Sequence, residues 1–577
     1  MKTYKLFSMV ICATFCAAVF SGCGNNSAED NNPQNKEISK MEQEFNKFAN
    51  EYKATFKPLT IDLYTKYFEA AVSGDPDTWA KLAQLEMDMN KIMTDDKKSF
   101  KLLKKFNASD EITNPVTKRE ITAIYNEYLS KQVDTEKLNA MTKLQTEIEQ
   151  KYNNFRAKVG DKEYSDNEIE DVLSNSTDSK ELEAVWLAHK QIGPLVADDV
   201  LKLVKMRNEV AVELGFDNYH TMSLTMSDQN PADIEKLFDE LDELTRDAFA
   251  KLKAEIDDNI SKKCGIKAEE LMPWHYQNRY FQEAPQIYAV DLDKYYEDVD
   301  IEDVTKKYFA GIGLPIEDMV AKSDLYEKPG KNQHAFCIDI DRDAGDIRVL
   351  CNIKANNNWM NTNLHEFGHA LFEKHLAKDL PWSLKEPAHI FTTEAIAMIF
   401  GRFASSPQWM QDNIGMDPEE AASIAVVSAK IRSLEQLVFS RWSQVMYRFE
   451  KSMYANPDQD LNKLWWDLAE QYQMIKRPAD RNAPDWASKT HIASAPCYYH
   501  NYHLGELLAS QLYYTISEKV LKQDPTTDMS FSGKPEVGEY LIKNIFAPGA
   551  KYYWNDMIEK ATGEKLTAKY YAAQFVK

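Results

Sequence analysis

From residue 37 to about residue 260, apolar positions recur every three or four residues with charges between them. "ISKMEQEFNKFANEYKATF", "TEKLNAMTKLQTEIEQKYNNFRAKV", "KELEAVWLAHKQIGPLVADDVLKLVKMRNEVAVELG" and "PADIEKLFDELDELTRDAFAKLKAEIDDNI" each read as amphipathic helix. In "GDPDTWAKL" and "MSDQNPADIEKLF" an Asp or Asn beside proline precedes the apolar run, which marks a helix start. The period changes between 333 and 352. "QHAFCIDI" and "DIRVLCNI" flank "DRDAG", and this predicts a β-hairpin, the one β element the pattern offers. Helical spacing returns at 362–376, at 392–405, at 415–455, and in "DLNKLWWDLAEQY" and "YLIKNIFA". No Gly/Ser-rich linker interrupts 37–577. The expectation is an all-α fold: one large domain over 37–577, arranged as two helical lobes around a cleft.

The first residues follow a different pattern. Lys2 and Lys5 precede "LFSMVICATFCAAVF", an apolar run of signal-peptide length and short for a membrane span. Ser21, Gly22 and Cys23 then resemble a bacterial lipobox. Residues 1–22 are therefore expected to be a lipoprotein signal, with lipid on Cys23 and a polar, flexible tether over 23–36. This predicts an exported lipoprotein of a bacterial cell envelope, on its periplasmic face or the cell surface. The net charge of −22 argues against nucleic acid and leaves the lipid on Cys23 as the only membrane contact. Four further cysteines remain, Cys264, Cys337, Cys351 and Cys497, with neither disulfide-framework nor zinc spacing.

Candidate chemistry sits in "NLHEFGHALFEKHL", residues 363–376. On a helix His365 and His369 lie about 40° apart around the axis, one turn from each other, and together can grip one metal ion. Glu366, about a quarter turn away, is placed to take a proton from water. Gly368 disfavours helix by about 1 kcal/mol against alanine, which implies close approach of another backbone or of substrate. A third ligand is required. Glu394 in "EPAHIFTTEAIAMIF" opens an apolar helix, where an unpaired carboxylate is costly and a cation would compensate it. His375, His389 and Glu386 are weaker ligand candidates, and the bland alternative for the whole stretch is a solvated polar helix face.

"DLPWSLKEPAHIFTTEA" after "LHEFGHALFE", the hairpin "HAFCIDIDRDAGDIRVLCNI" and "KTHIASAP" (489–496) together resemble the peptidyl-dipeptidases of the angiotensin-converting-enzyme family. The resemblance implies a nearly all-α ellipsoid split by a deep central channel, with the hairpin beside one zinc ion per chain. It places His365, His369 and Glu394 as zinc ligands and Glu366 as general base. His334 and Ala335 fall on a strand that pairs with the bound peptide, His491 beside the scissile bond, and Lys489 at the peptide's terminal carboxylate. The implied activity is hydrolysis of peptides with release of C-terminal dipeptides. Counted from Pro496, the family's oxyanion tyrosine falls on His500, leaving Tyr498, Tyr499 and Tyr502 as candidate donors with Tyr498 first. The clamp tyrosine falls on Cys497. Positions implied to bind chloride are Tyr499 and Ala469, so no chloride activation is expected. An aspartate behind the ligands is Met398, and Cys337 is expected to face Cys351 across a loop centred on Ala344 as a candidate bridge. The alternatives are an oligopeptidase or carboxypeptidase of related helical type, and a catalytically idle peptide-binding lipoprotein.

Overall fold

The computed structural model describes residues 38–576. The signal, the lipid and the tether expected from the sequence lie outside these residues. Helices run from Lys40 to Phe575, and the described residues hold only two small sheets, each an antiparallel hairpin. The longest helices are Lys40–Ser73, Pro231–Cys264 and Pro418–Ala455. The last two show why the sequence starts them where it does. Asn230 and Asp417 accept hydrogen bonds from the first-turn N–H groups, and a proline follows each cap where no N–H is needed. No described helix is long and apolar enough to cross a membrane.

One continuous apolar core extends from Leu144 to Phe575. A second, aromatic core of Phe45, Phe48, Phe56, Phe106 and Tyr128 holds the N-terminal helices together, and Trp382 from the site region inserts into it. Two local expectations are corrected. The run 135–159 is not all helix: it ends at Asn154, and Ala157–Val159 pairs with Lys162–Tyr164. Gly160, with φ of 59°, makes the tight turn between them. The 180–215 run breaks at Gln191 into Ser179–Lys190 and Ile192–Glu213. There Gly193 lets the chain approach Pro484, whose carbonyl oxygen would lie 2.4 Å from any Cβ.

The expected hairpin is present as Phe336–Asp339 paired with Ile347–Leu350. Its register puts Cys337 opposite Val349, so the loop centres on Asp343 and Cys351 lies two residues out of register. Both thiols are free, which corrects the expected bridge. Leu350 also bridges Asp324, so the Phe336–Asp339 strand is left as the sheet's edge.

Candidate active site

Three helices build the site. His365, Glu366 and His369 stand on Asn357–Lys374, Glu394 on Ile390–Phe403, and the tyrosine-rich segment leads into His500–Thr515. Glycines set their spacing. A Cβ on Gly368 would fall 2.9 Å from the Ala397 Cα, and one on Gly401 would fall 3.4 Å from the His365 Cβ. One on Gly505 would fall 3.3 Å from the Glu394 Cβ. Each ligand-bearing helix is thus pressed against the next at the level of the ligands. On the buried side Leu364, Phe367, Leu371, Ala395 and Ile396 fill the core, which fixes the rotation of both helices.

This packing brings His365, His369 and Glu394 together, with one ligand atom from each all within 4.8 Å of one another. The two Nε2 atoms are 3.3 Å apart, and Glu394 Oε2 lies 3.7 and 3.9 Å from them. No other described group of His, Cys, Asp or Glu has such a geometry. His369 turns its other nitrogen, Nδ1, to Thr393 Oγ1 at 2.8 Å. Burial dominates the electrostatics: it pushes His365 down to about 4 and Glu394 up to about 7. Glu366 rises to about 8 through burial and the nearby Glu394. Two neutral imidazoles and a carboxylate converging with no cation of the protein between them form a donor set that fits a divalent metal such as zinc. The side chains of His365, His369 and Glu394 remain 27%, 16% and 19% exposed, so the cluster is open to solvent on one side.

A second group lies around Lys489. Its Nζ donates to Gln282 Oε1 at 2.5 Å and rests over the rings of Tyr280, Trp442 and Tyr499 at 5.1, 5.4 and 5.3 Å. Among the described residues no carboxylate pairs with it, and burial followed by the neighbouring Arg279 holds it down to about 7. His491 packs across Tyr499 at 5.1 Å between ring centres, and its buried Nδ1 has no protein partner. Gln282 and Tyr280 went unnoticed in the sequence. They sit in an irregular stretch where Gln277 and Phe281 take positive φ, so no periodicity marks them.

The tyrosines correct the register counted from Pro496. Cys497, with φ of 56°, is buried and its N–H donates to Glu450, so it does not stand at Lys489. Tyr499 does. His500 is turned away: its Nε2 meets Gln229 Oε1 at 2.7 Å, its ring packs on Tyr447, and no contact links it to the ligand cluster. Tyr498 and Tyr502 are the tyrosines beside Glu394, which adds to burial in raising both hydroxyls, Tyr502 to about 12. Tyr499 and Tyr502 are in ring contact at 5.3 Å, so the pair three residues apart begins at Tyr499, two positions later than the proline count gives.

The remaining expected residues are placed as follows. Ala335 and the exposed His334 precede the edge strand, and His334 N–H donates to Asn332. His389 caps the Glu394 helix, accepting from Phe391 N–H. His375 closes the His365 helix. Glu386 pairs with Arg342 at 3.3 Å. Met398 packs against Gly505. None of the last four enters the ligand cluster.

No curated protein matches this chain significantly. The family signal is nonetheless unambiguous in extent, covering nearly everything between the first helix and the last: the sequence model of the angiotensin-converting-enzyme peptidases (peptidase family M2) matches residues 39–575, and the chain belongs to that family.

Proposed function

We propose that this chain is a zinc-dependent peptidase that releases dipeptides from the C-terminus of short or unfolded peptides. Zinc held by the Nε2 atoms of His365 and His369 and by Glu394 would supply Lewis acidity toward the scissile carbonyl and toward water. Glu366, about a quarter turn from the ligands' face, takes the proton from the attacking water and returns it to the leaving amine. Tyr502, with Tyr498 beside it, donates to the oxygen where negative charge develops, and His491 offers its unpartnered nitrogen to the peptide backbone. The open edge at Phe336–Asp339, led in by His334 and Ala335, offers hydrogen bonds independent of substrate sequence.

The observation that carries the dipeptidase reading is Lys489. A buried ammonium whose only hydrogen bond is to an amide oxygen calls for an anion, and a peptide's terminal carboxylate supplies one. The test is a ten-residue peptide with a free or amidated C-terminus, digested by the zinc-loaded protein and followed by mass spectrometry. Stepwise loss of dipeptides, abolished by amidation, is the expected result. Internal cuts indifferent to amidation would replace it with an oligopeptidase reading, and loss of single residues with a carboxypeptidase. Chloride is not needed, since neither Ala469 nor Asn501, where the two-position shift carries the site counted at Tyr499, offers a cation. We further propose that the protein works as an envelope lipoprotein held by Cys23; the mass of the mature N-terminal peptide decides it, an unmodified Cys23 being the refuting result.

A further inference from the structure

We propose that Thr393 is the positioning residue of the metal centre, and that it makes the two histidine ligands unequal. The proposal rests on the zinc reading above. His369 presents Nε2 to the cluster and Nδ1 to the Thr393 hydroxyl at 2.8 Å. An imidazole that binds a cation through Nε2 carries its proton on Nδ1, so the threonine oxygen is the acceptor that fixes this tautomer and the ring plane. Thr393 is 4% exposed and its hydroxyl makes no other side-chain hydrogen bond, so the contact is not shared with solvent or a rival donor.

His365 has no such support. Among the described residues its side chain's only polar contacts are those within the cluster, to His369 and Glu394. The Glu394 helix meets His365 at Gly401, which has no side chain to accept, and Met398, one turn past Glu394, packs on Gly505 and offers no oxygen. His365 is also the more exposed ligand, 27% against 16%. The orientation of the imidazole pair therefore rests on one hydroxyl. It comes from the residue directly before Glu394, so a single turn of helix delivers both a ligand and the support of another. A hydroxyl accepts less strongly than a carboxylate, and this centre should hold its metal less tightly than one whose histidines are both backed by carboxylates.

The test compares Thr393→Val, which keeps the shape and removes the acceptor, with Thr393→Ser, which keeps the acceptor and removes a methyl group. The readout is zinc dissociation measured by chelator competition on the whole protein, with the thermal midpoint of the metal-free form as a control for folding. Thr393→Val should weaken zinc binding by about 10- to 100-fold, and Thr393→Ser should stay within about threefold of the parent. At saturating zinc, KM for a peptide should be unchanged in both. Equal zinc affinity in parent and valine variant overturns the proposal, as does a serine variant as weak as the valine one. If the metal-free valine variant loses its folding transition, the serine result alone decides. A parent protein that binds no zinc would instead overturn the metallopeptidase reading itself.

Discussion

Gly368→Ala decides between two opposed effects. Alanine favours helix over glycine by about 1 kcal/mol, so an exposed mid-helix site would gain stability. At Gly368 the added Cβ meets the Ala397 Cα at 2.9 Å and its N at 3.3 Å. Carbon contacts settle at about 3.5–4.0 Å, so the helices must separate by roughly 0.7 Å. Both contacts are backbone atoms of a buried helix and cannot swing aside. Overpacking of this kind costs about 1–3 kcal/mol, which leaves a net loss of about 0–2 kcal/mol after the propensity gain. The separation also acts directly on Glu394, which leads Ala397 by less than one turn and would move away from His365 and His369. We expect the urea midpoint of the metal-free protein to fall and zinc affinity to drop with it. Gly401→Ala is the internal comparison: its nearest neighbour is the Asn361 side-chain oxygen at 3.1 Å, which can rotate, so its cost should be smaller. A Gly368→Ala protein more stable than the parent would mean that the close helix contact does not constrain the site.

Glu366→Gln should retain zinc and lose nearly all turnover; measurable kcat at full zinc occupancy would remove Glu366 from the role of base. Lys489→Met should lower kcat/KM on free-acid peptides by at least tenfold, towards the level that amidation alone gives in the parent, as read from paired progress curves. Burial holds Lys489 near 7, so its charged form is lost as pH rises through that value. The free-acid kcat/KM should then fall above neutrality through KM, and a profile flat from pH 6 to 9 would refute the clamp. Tyr502→Phe should cut kcat by about 10²-fold, whereas His500→Asn should leave kcat near the parent value. The reverse order would restore the proline-counted register.

The fold was readable where a short-range signal coincided with the dominant force. Amphipathic period located the Asn357–Lys374 and Ile390–Phe403 helices, the first of them starting five residues before the expected 362, because each leaves one partly exposed stripe, through His365 and His369 or through Glu394 and Met398, on an otherwise buried helix. It failed where an interruption was shorter than a helical turn or two. Gly160-Asp161 turns a strand pair only three residues long on each side, too short to display alternation against the helix before it. The break at Gln191 falls just before Gly193-Pro194, a two-residue breaker masked by the apolar period on either side, and Gly193 then packs on Pro484, nearly three hundred residues away.

The site divides along the same line. His365, Glu366 and His369 were legible because one helix holds them and helix geometry is rigid, and Glu394 because its carboxylate opens an otherwise apolar run. The tyrosines were not, because their register passes through Cys497. A residue held at φ of 56° reverses the local direction of the chain, so side chains after it cannot be counted from the proline before it. The structure resolves this through contacts the sequence does not display. Cys497 N–H is held by the buried Glu450, which turns Tyr499 onto Lys489 and His491, and one helical turn later Tyr502 comes beside Glu394. Gln229 then draws His500 to the opposite side. The Glu450 carboxylate, not the proline, is thus the anchor that sets which aromatic groups face the metal ligands.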